Sequence, residues 1–199
     1  IIGHPPLLRC LVVRTDGVPL FIEELTRALA AAPRARRRAS GSDVRRSEIP
    51  TSLQDSLMAR LDQLGPAKEV AQMGAVIGRE FGSDLLSAIS TLDAAALRDA
   101  LAALTSSAIV FDRGEPPGTT FVFRHALTQD AAYASLLRTK RQKLHELIAG
   151  TLERSYPERV RVEPEVVAYH YTQAGRSLPA AKYWAAAARR AQGRAQRSL

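Results

Sequence analysis

One cysteine, Cys10, stands in 199 residues. It excludes a disulfide framework and fits a reducing compartment, so a cytoplasmic location is expected. No apolar run approaches the roughly 18 to 20 residues that a membrane-spanning helix needs. The first residues lack the charged start and apolar core of a signal peptide. No lysine follows a glycine, which rules out a G-x-x-x-x-G-K-[ST] phosphate loop within the chain. No G-x-S-x-G elbow occurs, and "HELIA" at 145–149 lacks the second histidine of a zinc-protease helix. His4, His125, His145 and His170 show no metal-ligand spacing with Cys10. No autonomous enzyme is expected, and neither a catalytic residue nor a metal ligand is assigned. The chain opens on Ile1 rather than Met, and a fragment of a longer protein is expected.

What is present is charge, unevenly spread. The formal net charge is +8, and 46% of residues are hydrophobic, enough for one fair core or several small ones. Residues 1–32 balance. Residues 33–48 hold six arginines against Asp43 and Glu48, a net of +4, and almost no large apolar residue. They read as a basic linker, with an acidic surface or nucleic acid as the alternative contact. Residues 66–124 are net −2, and residues 125–199 are net +7.

Helical periodicity covers most of the rest. Asp16-Gly17 is a turn signal, and Pro19 suits a first helical turn ending before Pro33. "IPTSLQDSLMARLDQLG" predicts a helix with a Thr51–Gln54 capping box and a Leu53, Leu57, Leu61, Leu64 stripe. After Gly65-Pro66 comes a second helix with Val70, Met73, Val76 and Ile77 inward. "SDLLSAIS" is a short third. Asp93 caps a fourth that buries Leu97, Leu101 and Leu104. Two β-rich runs flank Gly114-Glu115-Pro116-Pro117-Gly118 and predict one hairpin with a mobile tip. Three helices followed by a hairpin is the order of a winged helix. Four helices then follow, near 125–138, 140–155, 164–174 and 179–196. The last two carry Tyr169, Tyr171, Tyr183 and Trp184 and read as one helical hairpin of a repeat array. Tyr183 and Trp184 are expected in its core, with partner binding as the alternative. In "FVFRHALTQDAAYASLL", His125 sits where strand alternation gives way to helical period, and Leu127 is expected on the core side.

Three segments carry a resemblance. "TDGVPLFIEELTRAL", "IPTSLQDSLMARLDQLGPAKEVAQMGAVIGREF" and "FRHALTQDAAYASLLRTKRQKLHELIAGTLE" resemble the AAA+-related signal-transduction ATPases of the STAND class. The resemblance spans about residues 12 to 190. It points to bacterial proteins in which a class III adenylate or guanylate cyclase domain precedes such an ATPase and a tetratricopeptide (TPR) array. "IIGHPPLLRC" departs from that pattern.

The resemblance implies a mainly α chain. Residues 1–32 would end the ATPase core and lid, 33–48 form the linker and 49–65 a lid helix. Residues 66–138 would be a winged-helix domain with one β-hairpin, and 139–199 the start of TPR-like repeats. It sets Gly17 and Pro19 on the Gly-x-Pro motif beside the adenine, and His125 near the histidine that senses the phosphates. The alternatives are a plain helix start and a local helix cap. Asp130 and Tyr133 recur in the motif and would hold their helix against its neighbours. ATP or ADP with Mg would be the cofactor of the longer protein. The implied partners are a nucleotide-binding core, an output domain and a ligand or protein at the repeats.

Two other functions compete. A DNA-reading winged helix needs Arg, Lys, Asn or Gln on its reading helix. The candidate helix offers Arg98 followed by Asp99, in a net-negative region that repels phosphate. A TPR-like interaction scaffold is the second alternative.

Overall fold

The computed structural model describes residues 53–114 and 118–195. Its elements run α1 (Leu53–Asp62), α2 (Ala67–Ile77), β1 (Glu80–Gly82), α3 (Ser83–Ile89), α4 (Ala94–Ser106), β2 (Val110–Arg113), β3 (Thr120–Phe123), α5 (Ala126–Ala134), α6 (Arg138–Ser155), α7 (Pro157–Val162), α8 (Pro164–Gln173) and α9 (Ser177–Ala195). The described part is mainly helical with one small antiparallel sheet. Among the described residues, no helix is long and apolar enough to cross a membrane.

Two compact units divide after Gln63. In the first, α1 buries Leu57 and Leu61, four residues apart on one face as its stripe predicts. The Thr51–Gln54 capping box and the 115–117 hairpin tip lie outside what the structure describes.

The second unit begins with α2 and a sheet of three strands in the order β1-β3-β2. β2 and β3 are the expected hairpin. β1 is an addition to the sequence reading: three residues, with Phe81 opposite Phe121 in the β3 register. The rings of Phe81 and Phe121 stack at 5.8 Å, and Phe123 lies 5.6 Å from Phe81. Gly74 lets α2 approach this cluster, since a Cβ there would stand 2.7 Å from the Phe81 ring. Asp93 caps α4 as expected, accepting from the Ala95 and Ala96 amides at 3.0 and 2.8 Å. The inward face of α4 is Leu97, Leu101 and Leu104. Its C-terminus closes through the Ile109 amide on the Leu104 carbonyl, at 3.0 Å. Ala108 takes the left-handed φ of 54° that this wrap needs.

A second core joins the sheet-bearing part to the C-terminal helices. It contains Val76, Leu85, Ile89, Leu136, Ile148, Ala149, Leu152, Val167, Tyr171 and Ala180. α2 therefore serves both cores, with Gly74 against the Phe81 ring and Val76 in the second core. The C-terminal helices begin and end within about four residues of expectation. α7 is extra, opened by Pro157 at its first turn. Gly175, at φ 75°, turns the chain between α8 and α9.

Candidate functional site

Of the expected nucleotide-contacting residues, Gly17 and Pro19 lie outside the described residues. His125 is the N-cap of α5, with extended backbone at φ −131° and ψ 138°. The junction it occupies is fixed on both sides. The Phe123 amide donates to the Arg79 carbonyl and the Arg124 amide to the Ile109 carbonyl, each at 3.0 Å. The His125 carbonyl accepts from the Thr128 amide at 3.1 Å. His125 thus occupies the cap position through its backbone, and its side chain makes no capping hydrogen bond to the helix. The ring is half-buried.

Two neighbouring expectations need correction. Leu127 does not fill the core. It is 47% exposed, because α5 buries Thr128, Ala131 and Ala132 instead. Trp184 is 46% exposed and donates its indole N–H to Thr172 Oγ1 at 3.1 Å. Tyr183 does pack against the second core. Asp130 is exposed, whereas Tyr133 holds α5 to α6.

That tyrosine leads to a cluster the sequence reading missed. Tyr133 Oη lies 3.0 Å from His145 Nε2, and His145 Nδ1 lies 2.8 Å from His170 Nδ1. The three residues come from α5, α6 and α8. His145 is 1% exposed and His170 2%. Tyr169 stands edge-on to His145 at 5.8 Å and to His170 at 5.6 Å. The Arg141 guanidinium caps the Tyr133 ring at 5.0 Å.

Burial pushes His145 down to about 4, and the nearby Arg141 charge adds to the effect. Burial pushes His170 down to about 3, with His145 and Arg159 opposing a proton as well. Both rings are therefore neutral at pH 7. A neutral pair with one N–H between the two Nδ1 atoms satisfies both.

A second polar cluster joins α6, α8 and α9. Glu153 accepts from the hydroxyls of Tyr171 and Tyr183, the latter at 2.5 Å. The two rings stack at 6.1 Å. Burial first, then the Glu153 hydrogen bond, raises both phenols, Tyr183 to about 12. Among the described residues, no three His, Cys, Asp or Glu side chains gather as a metal site would need. What the geometry can do is fasten helices to one another.

No protein-family model matches the chain. An uncharacterized protein of Rhizobium meliloti (strain 1021) is 29% identical over 162 residues, covering 81% of this chain. The matched region is 16% of that protein's length, so the chain spans about a sixth of the relative.

Proposed function

We propose that this chain is the regulatory portion of a nucleotide-switched signalling ATPase: lid, winged helix and the first TPR-like helical hairpin. The observation that carries the reading is His125. It is the N-cap of α5, at a strand-to-helix junction held by backbone hydrogen bonds on both sides. The element order α2-β1-α3-α4-β2-β3 and the β1-β3-β2 sheet support the winged-helix part. The α8–α9 hairpin about Gly175 supports the repeat part. A relative about six times longer than the matched region leaves room for a nucleotide core and an output domain.

In this reading ATP or ADP with Mg binds a core outside these residues. Gly17 and Pro19 touch the adenine, and His125 donates to a phosphate oxygen in the closed state. Ligand or protein at the repeats shifts the population toward an open, signalling state. The output domain is a cyclase or a similar enzyme. A hydrogen bond to a charged acceptor is worth about 1.5–3 kcal/mol. Losing it in the closed state alone shifts the equilibrium roughly ten- to a hundredfold.

The test is nucleotide content. The chain is purified joined to the nucleotide core of its longer protein, and bound ADP is quantified after denaturation. His125→Ala is expected to lose ADP and raise basal output at an unchanged melting temperature. Unchanged ADP retention, or a melting temperature lowered as far as by Leu152→Ala, refutes the reading. A DNA-reading role draws less support. The groove beside α4 is lined by Arg98 and Asp112 as its charged residues, with Asp99 adjacent to Arg98 in sequence. Nothing there offers phosphate a net positive surface.

A further inference from the structure

Tyr133, His145 and His170 form a buried hydrogen-bonded chain across α5, α6 and α8. For stability alone such a chain adds little, since apolar side chains of the same shape would do nearly as well. What it adds is direction. A neutral imidazole carries one N–H, so His145 has two settings. In the first, the Tyr133 hydroxyl donates to His145 Nε2, and His145 Nδ1–H donates to His170 Nδ1. In the second, His145 Nε2–H donates to the Tyr133 oxygen, and His170 Nδ1–H donates to His145 Nδ1. Any mixture sets two N–H groups or two lone pairs face to face across 2.8 Å. The setting at Tyr133 thus fixes the setting at His170, although the two residues share no hydrogen bond. Two discrete arrangements tied end to end are what a coupling element requires.

The ends of the chain matter. Tyr133 lies eight residues into the helix-start that His125 makes, about 12 Å along α5 at 1.5 Å per residue. α5 is also tied to α2, where Gln129 donates to the Ala75 carbonyl at 3.3 Å. His170 lies on α8, the helix to which Trp184 of α9 bonds through Thr172. The charged and titratable groups facing the chain are Arg141 of α6, Arg159 of α7 and Tyr169 of α8. Both arginines oppose a proton on the pair, which keeps it neutral and keeps the two settings intact.

We propose that this chain is the joint by which a movement of the α8–α9 hairpin reaches α5, the helix opened by His125. The purpose of the joint rests on the switch reading above. The coupling itself is a property of these residues and is measured without nucleotide, so a failure of ADP retention leaves this measurement standing.

The experiment is hydrogen–deuterium exchange on the whole chain at pH 7.5. Tyr133→Phe removes one oxygen and keeps the ring under Arg141. It is expected to speed exchange about fivefold in residues 164–173 of α8 as well as in α5, the effect of one net hydrogen bond, while α4 stays unchanged. His170→Leu is expected to speed exchange in α5 to a similar extent. His170→Asn, whose carboxamide reaches the Nδ1 position, is expected to hold α5 near its original rate. Faster exchange confined to α5 in Tyr133→Phe overturns the proposal, as does acceleration that spreads equally to α4 and the sheet. So does a His170→Asn protein that behaves like His170→Leu. If His170→Leu fails to fold, as circular dichroism would register, Tyr133→Phe decides alone.

Discussion

Lowering the pH from 7.5 to 5 is expected to destabilise the unit that contains α5 to α9, and the histidine pair sets the size of the effect. In the folded chain His145 is held down at about 4 and His170 at about 3, against an ordinary value of 6.5. The unfolded chain therefore binds protons below pH 6.5 that the folded chain refuses. Stability is fully present above pH 6.5 and falls as the pH drops toward 4. Each pKa unit is worth about 1.4 kcal/mol. At pH 5, about 1.5 units below the unfolded value, one histidine costs about 2 kcal/mol, and the pair at most about twice that. The neutral pair already holds one proton between its Nδ1 atoms, so a first added proton goes to an Nε2 and keeps that hydrogen bond, whereas a second sets N–H against N–H across the 2.8 Å gap. Urea titrations at several pH values, followed by the fluorescence of Trp184, measure the loss. Trp184 is the chain's one tryptophan, and it sits on α9. Near pH 5 unfolding should take up close to two protons from the pair, and close to one in His170→Asn. Histidines elsewhere cancel in that difference. Equal pH slopes for the two proteins would refute the reasoning.

Three further substitutions probe the packing. Ala108→Gly should raise stability by about 0.5–1 kcal/mol, because φ 54° strains alanine by more than glycine's added unfolded-state freedom costs; the thermal midpoint checks it. Gly74→Ala sets helix propensity, about 1 kcal/mol in favour, against a Cβ 2.7 Å from the fully buried Phe81 ring. With Phe121 and Phe123 packed around that ring, overpacking should win and destabilise by about 1–3 kcal/mol, as urea midpoints would register. Leu152→Ala, at 1% exposure, should cost about 2–5 kcal/mol and the half-exposed Leu127→Ala under about 1 kcal/mol; equal losses would mean that α5 packs differently.

Much of the helical order is legible in the sequence because its signals are local. Asp93 caps α4 by its own geometry, and Leu97, Leu101 and Leu104 repeat at a helical period. β1 is not legible. Three residues are too few to show alternation, and Phe81 earns its place only through a pairing with Phe121 forty residues away. Leu127 misleads for a related reason. α5 is short and packs through its small residues Thr128, Ala131 and Ala132, so the larger leucine points outward. Trp184 misleads similarly: a single hairpin covers only one side of α9, and burial depends on what stands on the other.

The histidine pair was within reach of the sequence by a different rule. Metal-ligand spacing is the wrong test, since His145 and His170 are 25 residues apart on separate helices. The period is the better one. On α6, His145 falls three, four and seven residues before Ile148, Ala149 and Leu152, squarely on the apolar stripe. On α8, His170 follows Val167 by three and adjoins Tyr171 on the buried face. A polar ring on a buried stripe must find a partner there, because an unsatisfied one costs about 1–3 kcal/mol. Two adjacent helices that each bury one histidine can satisfy both by turning the rings to each other. Nothing in the sequence gives the rotation that aligns the two Nδ1 atoms, or brings Tyr133 to the other side of His145. Those follow from the crossing of α5 and α8 over α6, set by the Leu136, Ile148, Leu152 and Val167 core. The apolar core thus positions the polar chain, and the polar chain restricts which crossing the core can adopt, since a turn of either helix would leave a buried nitrogen bare.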